Sequence, residues 1–148
     1  MGRRILIALE LEDQSANDVL RKASSLRLPD DTLDVLHVVD PTTVLYTVDP
    51  TLTGRMYQRN YEAAMTDARN RIQVLCAPYD IDATHCHVRY GRVAHEVHEL
   101  LRDVGYDTLM IGSHGWSGWR RLLGSRAASI LHGVPVDTWV FKVGKAKT

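Results

Sequence analysis

The sequence predicts an α/β fold. It is a single doubly wound domain over residues 1–148, with a five-stranded, mostly parallel sheet and helices on both faces. Three observations predict it. Five short apolar runs alternate with stretches whose apolar residues recur at helical spacing. Proline, glycine and acidic clusters separate the two kinds of segment. The 148 residues suffice to bury one core without disulfides or metals, and they suit one domain. Strands separated by helices pair in parallel through crossovers. Such sheets take ligands beyond the carboxyl ends of their strands, where the strand order reverses.

Residues 4–9 (RILIAL) are the first buried strand, ended by Glu10, Glu12 and Asp13. Ser15 is the expected N-cap of a helix with Val19, Leu20, Ala23 and Leu26 on one face. Pro29, Asp30 and Asp31 break it, and residues 33–39 (LDVLHVV) form the second strand, closed by Asp40-Pro41. Residues 41–54 read as a long loop. Tyr57, Tyr61, Ala64, Met65, Ala68, Ile72 and Leu75 then mark a long amphipathic helix ending near Pro78. Residues 82–89 alternate as a third, more polar strand, and Gly91 turns the chain. Val93, Val97, Leu100, Leu101 and Val104 make a helix stripe, with Gly105 where a helix-ending glycine belongs. Residues 107–111 are strand four, opening into a glycine-rich loop from Gly112. A helix over Leu122–Leu131, a fifth strand over 136–143 and a frayed tail over 144–148 complete the chain.

Composition narrows the function. Eighteen Lys and Arg balance eighteen Asp and Glu, which argues against a general nucleic-acid binder. No apolar run is long enough to insert in a membrane, and residues 1–9 are too short for a signal peptide. Two cysteines suit a reduced, cytoplasmic protein better than a disulfide framework. The zero total hides a division. Residues 115–148 carry six basic side chains against Asp137 alone, an excess that begins on the glycine-rich segment.

Residues 112–126 read GSHGWSGWRRLLGSR, leaving strand four and ending at a helix start. Glycines let backbone amides approach a ligand, and a helix N-terminus favours anions. Ser113, Ser117 and Ser125 supply hydroxyls, and Arg120, Arg121 and Arg126 supply positive charge. This is chemistry that a polyphosphate needs. A glycine loop with a solvated arginine face has the same composition, so both readings stand on spacing alone. The segment is neither a Walker A motif nor Gly-x-Gly-x-x-Gly.

Further motifs carry a resemblance. They are Ile5-Leu6-Ile7-Ala8 with an acid following, Leu36-His37-Val38-Val39, Met110-Ile111-Gly112-Ser113-His114-Gly115, Leu122-Leu123-Gly124-Ser125 and Val134-Pro135-Val136. Over residues 3 to 143 the chain resembles the universal stress proteins of the UspA superfamily, which implies a Rossmann-like, adenine nucleotide alpha hydrolase-like fold. The family's nucleotide-binding branch carries Gly-x2-Gly-x9-Gly-[Ser/Thr]. Here Gly112, Gly115, Gly124 and Ser125 follow that pattern with the second gap one residue shorter, a gap shared by some members regarded as ATP binders. The branch nearest the founding type lacks these glycines and does not bind ATP.

The resemblance implies ATP, with Mg²⁺, as the cofactor. Gly112, Gly115, Gly124 and Ser125 would hold ribose and phosphates, joined by Arg126. Ala8 and Glu10 would lie by the adenine end, and Val38 and Ile111 would line the base pocket. Glu10 departs from the family's usual Asp. Glu12 and Asp13 add negative charge nearby, and they read best as solvated acids before a helix.

Other constellations read as structural. His95 and His98 are three residues apart with no third metal ligand evident, so they are not the His-Glu-x-x-His pattern. Alternation puts His85 and His87 on one strand face and Cys86 on the other, as a small buried hydrophobe. Cys76 has no visible base partner, and Ser113-His114 lacks a nucleophile elbow. No catalytic set and no metal site is expected, so any ATPase activity would be slow. Trp116 and Trp119 are expected to pack the glycine loop down. Trp139, Val140 and Phe141 suit an edge strand, so a homodimer through 136–143 is expected, alongside an unidentified regulatory protein partner. The leading expectation is a cytoplasmic, ATP-binding stress or signalling protein. The alternative is a family member without nucleotide that acts through protein contacts.

Overall fold

Five strands form in the computed structural model, which describes residues 2–41, 54–114 and 127–143. They are β1 (Arg4–Ala8), β2 (Thr32–Val39), β3 (Cys86–Tyr90), β4 (Thr108–His114) and β5 (Asp137–Val143). They lie in the order β3-β2-β1-β4-β5, and every pairing is parallel. The helices between them are α1 (Asp13–Leu26), α2 (Gly54–Cys76) and α3 (Val93–Val104), with a further helical segment at residues 127–131.

Strand alternation divides the core between two faces. Ile5, Ile7, Val35 and Met110 point one way and pack under α1 (Val19, Leu20) and α2 (Met65, Ile72). Leu6, Leu36, Leu109 and Ile111 point the other way, under α3 (Val97, Leu100, Leu101) and Ile130. The sheet is apolar on both faces, as its continuous hydrophobic runs predict. Burying each such side chain contributes about 1.5–3 kcal/mol before chain entropy.

Several boundaries differ from expectation, each for a local reason. α1 begins at Asp13, preceded by Glu12 in extended conformation, so Ser15 is not the N-cap; it is buried within the first turn. Acids suit that end because the helix dipole favours them. Leu26 closes α1 and is exposed, because the core-facing stripe has run out. Gly54 opens α2 rather than lying in a loop. Residues 83–85 form a 3₁₀ turn, because the Asp82 carboxylate accepts the Thr84 N–H at 3.0 Å, so β3 starts only at Cys86. β4 continues three residues past Ile111, since Gly112, Ser113 and His114 pair with Phe141, Lys142 and Val143 of β5. Gly112 therefore lies inside a strand, not in a loop. Gly105 ends α3 at φ 81° and ψ 51°, the left-handed conformation its position predicts. Among the described residues no helix is long and apolar enough to cross a membrane.

Candidate functional site

The strand order reverses between β1 and β4. β1 pairs with β2 on one side, Ala8 opposite Leu36, and with β4 on the other, Ala8 opposite Ile111. Doubly wound sheets bind ligands beyond the carboxyl ends of their strands at such a reversal. Ala8 is half-buried there, packed against a cluster that includes buried Val38 and Ile111. Three of the expected site residues thus meet on the α3 face. Glu10 lies two residues beyond the end of β1 and is half-buried.

The chain leaving β1 is held from two sides. Leu9 N–H donates to Leu36 O at 2.9 Å, extending the β1–β2 ladder by one residue. His37 Nδ1 donates to Leu9 O at 2.8 Å, which places its proton on Nδ1. Arg71, reaching from α2, donates to Leu11 O and stands 3.8 Å from the Asp13 carboxylate. Glu12 and Asp13 are exposed, the solvated placement expected of them. Sequence reasoning assigned no site role to His37 or Arg71, though His37 lies in one of the motifs that carry the resemblance. A histidine inside an apolar strand was the available signal for the first, whereas Arg71 is one of several polar residues on a long helix.

Gly112 has a packing reason to lack a side chain. A Cβ built there would lie 2.7 Å from Val19 Cγ2 and 3.0 Å from Val143 Cγ1. Ser113 is buried, and its hydroxyl makes a long bond, 3.5 Å, to Phe141 O. Gly115, Gly124, Ser125 and Arg126 lie outside the described residues, as do Trp116, Ser117, Trp119, Arg120 and Arg121.

A polar cluster occupies the opposite end of the sheet. Asp34, near the start of β2 and buried, accepts from His85 Nδ1 at 2.6 Å, from His87 Nε2 at 3.2 Å and from the Tyr106 hydroxyl. Asp34 engages one ring nitrogen of each histidine, although His85 lies in the 3₁₀ turn before β3 and not on the strand where alternation placed it. Burial alone would raise the Asp34 pKa, but the bonds from Tyr106, His85 and His87 outweigh it and hold the carboxyl below its usual range. Burial, then the Asp34 bond, pushes the Tyr106 phenol up.

The paired histidines of α3 separate. His98 Nε2 donates to Ile130 O at 2.6 Å and ties α3 to the 127–131 segment. His95 instead meets Glu99 at 3.1 Å and Glu96 at 4.0 Å. Those three place one ligand atom each within 4.8 Å of the others, a group that leaves out His98. Arg89 lies 3.8 Å from Glu96 and adds a cation beside that carboxylate.

A model of the universal stress protein family matches residues 1–142. The chain belongs to the universal stress protein family. Universal stress protein A homolog 1 of Coxiella burnetii is 32% identical over 136 residues, covering 91% of this chain and 92% of that protein. Among solved structures, the hypothetical protein MJ0577 aligns with a TM-score of 0.76 at 18% identity, covering 99% of both chains. A universal stress protein in complex with cAMP aligns with a TM-score of 0.59 at 19% identity, covering 97% of this chain and 98% of that one. At these identities the structural likeness is one of fold.

Proposed function

We propose that this universal stress protein is a cytoplasmic nucleotide-binding regulator, taking ATP with Mg²⁺ at the β1–β4 crevice. The reversal of strand order at β1 and β4 carries the reading, because it sets the apolar group Ala8, Val38 and Ile111 at the carboxyl edge of the sheet. Val38 and Ile111 would underlie the base, and Ala8 and Glu10 would flank it. Gly112, Gly115, Gly124, Ser125 and Arg126 would face ribose and phosphates, with backbone amides and charge suited to an anion. A relative of the same fold is known in complex with cAMP, which supports an adenine nucleotide. No nucleophile–base pair is proposed, so hydrolysis would be slow and incidental to regulation. The protein would act as a homodimer through residues 136–143 and signal to a further protein partner.

Equilibrium dialysis with ATP and Mg²⁺ tests the reading. The wild type should retain nucleotide, and Gly115→Val or Gly124→Val should abolish retention by blocking backbone approach. No binding at millimolar ATP would hand the case to the second reading, a family member working through protein contacts alone. One observation favours that alternative: packing against Val19 and Val143 already explains the glycine at 112.

A further inference from the structure

Three side chains with metal-ligating atoms converge at the start of α3. His95 Nε2 lies 3.1 Å from Glu99 Oε2 and 4.0 Å from Glu96 Oε2, and one ligand atom from each residue lies within 4.8 Å of the other two. His95 and Glu99 are four residues apart on α3 and so share a face of the helix. Glu96 follows His95 in the chain, and its carboxylate lies against the bend at Gly91, the residue after β3. A Cβ built on Gly91 would stand 2.8 Å from Glu96 Oε2 and 3.0 Å from its Cγ. The backbone there is at φ 154°, and Gly91 N–H donates to Val39 O at 3.1 Å, which ties the bend to the end of β2. Glycine at 91 therefore leaves the space that this carboxylate oxygen occupies.

The two oxygens of Glu96 face different neighbours. Oε1 stands 3.8 Å from Arg89 of β3, and Oε2 stands 4.0 Å from His95. Both distances are too long for a hydrogen bond. The Glu96 side chain is only 17% exposed, so its charge has lost much of its hydration. An ion pair between His95 and Glu99 leaves Glu96 in that condition. One cation placed between the three satisfies both carboxylates and the imidazole together, while Arg89 orients Glu96 from its other oxygen. The distances allow it. Donors bound at about 2.1 Å around a tetrahedral ion stand about 3.4 Å apart, so side-chain shifts of about 1 Å or less close the site. His95 and Glu99 are more exposed, which opens the remaining coordination position to water.

We propose that His95, Glu96 and Glu99 form a binding site for one divalent transition-metal ion of the zinc class, with water completing the coordination. An imidazole ligand selects such ions over Mg²⁺ and Ca²⁺, which prefer larger sets of oxygen ligands. Three protein ligands with one position left to water is the coordination of an accessible zinc ion, not of a closed structural one. All three ligands come from α3, so the ion clips the first two turns of that helix. The site lies at the carboxyl end of β3, an edge strand, and shares no residue with the nucleotide site proposed at β1 and β4. It is therefore separate from the Mg²⁺ that would accompany ATP.

The test titrates the full chain, untagged, stripped with EDTA and free of nucleotide, with zinc chloride by isothermal titration calorimetry. The expected result is one zinc per chain, not displaced by excess Mg²⁺. His95→Ala and Glu99→Gln should each weaken binding by more than about tenfold, since loss of even an outer partner costs about that much. His132→Ala, which removes an exposed histidine elsewhere, should bind as the wild type does. Cobalt in place of zinc should give d–d absorption without the thiolate charge-transfer band that Cys76 or Cys86 would add. Undiminished affinity in the His95 and Glu99 variants, a thiolate band, displacement by Mg²⁺, or no binding at millimolar zinc would each overturn the proposal. Both substituted side chains are well exposed, and circular dichroism checks that the variants fold. The cobalt spectrum and the stoichiometry are read on the wild type, so they decide even if a variant folds poorly. No nucleotide is present, so failure here and failure of the ATP reading are distinguishable.

Discussion

A methyl group on Gly112 would sit 2.7 Å from Val19 Cγ2 and 3.0 Å from Val143 Cγ1, between α1 and the last residue of β5. Both neighbours are buried, so neither can swing away without disturbing the core. Gly112→Ala should therefore cost about 1–3 kcal/mol by overpacking, measured by urea denaturation, and Val19→Ala in the same chain should recover part of that loss. Recovery of stability without recovery of ATP retention would separate the packing role of this glycine from a ligand role. Tyr106 supports a second prediction at this scale. Its hydroxyl is one of three donors to buried Asp34. Tyr106→Phe should lower stability by about 1–3 kcal/mol, the usual cost of removing a hydrogen bond to a charged group. Asp34 itself shows what alternation can and cannot say. Its position in LDVLHVV put it on a strand face, but the histidines and tyrosine that satisfy it come from 51 to 72 residues away.

β5 is an edge strand in the order β3-β2-β1-β4-β5, and Trp139 and Val140 on it remain exposed. An exposed apolar edge is a template for pairing unless something covers it. With a second copy as that cover, Val140→Lys should shift the protein from dimer to monomer at tens of micromolar, about the range where weak interfaces dissociate, as read by sedimentation. An unchanged monomer in both proteins would remove the dimer from the proposal. α1 is an element whose start the sequence placed late. Ser15 is a good capping residue by type, but the buried positions Ala16, Val19, Leu20 and Ala23 set the helix phase and draw Ser15 into the first turn. At the other end of β4, local glycine content suggested a loop at 112. Pairing with β5 overrode it, because a neighbouring strand supplies hydrogen bonds that local propensity does not count.

At the scale of the whole molecule, carboxylates tie distant segments together. Asp31 accepts Arg3 Nη2 at 2.6 Å and the Leu28 and Arg3 backbone N–H groups at 2.9 Å each. The Arg3 side-chain bond, followed by these backbone bonds, holds the Asp31 carboxyl well below its usual range. Asp34 and Asp82 are also held low. A carboxyl whose folded pKa lies below its unfolded one stabilises fully above the ordinary Asp range, and that contribution fades as pH falls through the folded value. The urea midpoint should therefore drop as pH is lowered below about 5, where unfolded aspartates begin to protonate. Asp31→Asn should be less stable at neutral pH and show a shallower acid decline. The sequence by itself determined the succession of strands and helices, the two-faced apolar sheet and the family, because these follow from periodicity and local motifs. Only the tertiary structure decided which strands are neighbours, that Gly112 is packed against Val19, and that Asp34 gathers His85, His87 and Tyr106. Those contacts join residues on different elements, and their meeting depends on how the chain crosses the sheet, which no local pattern records.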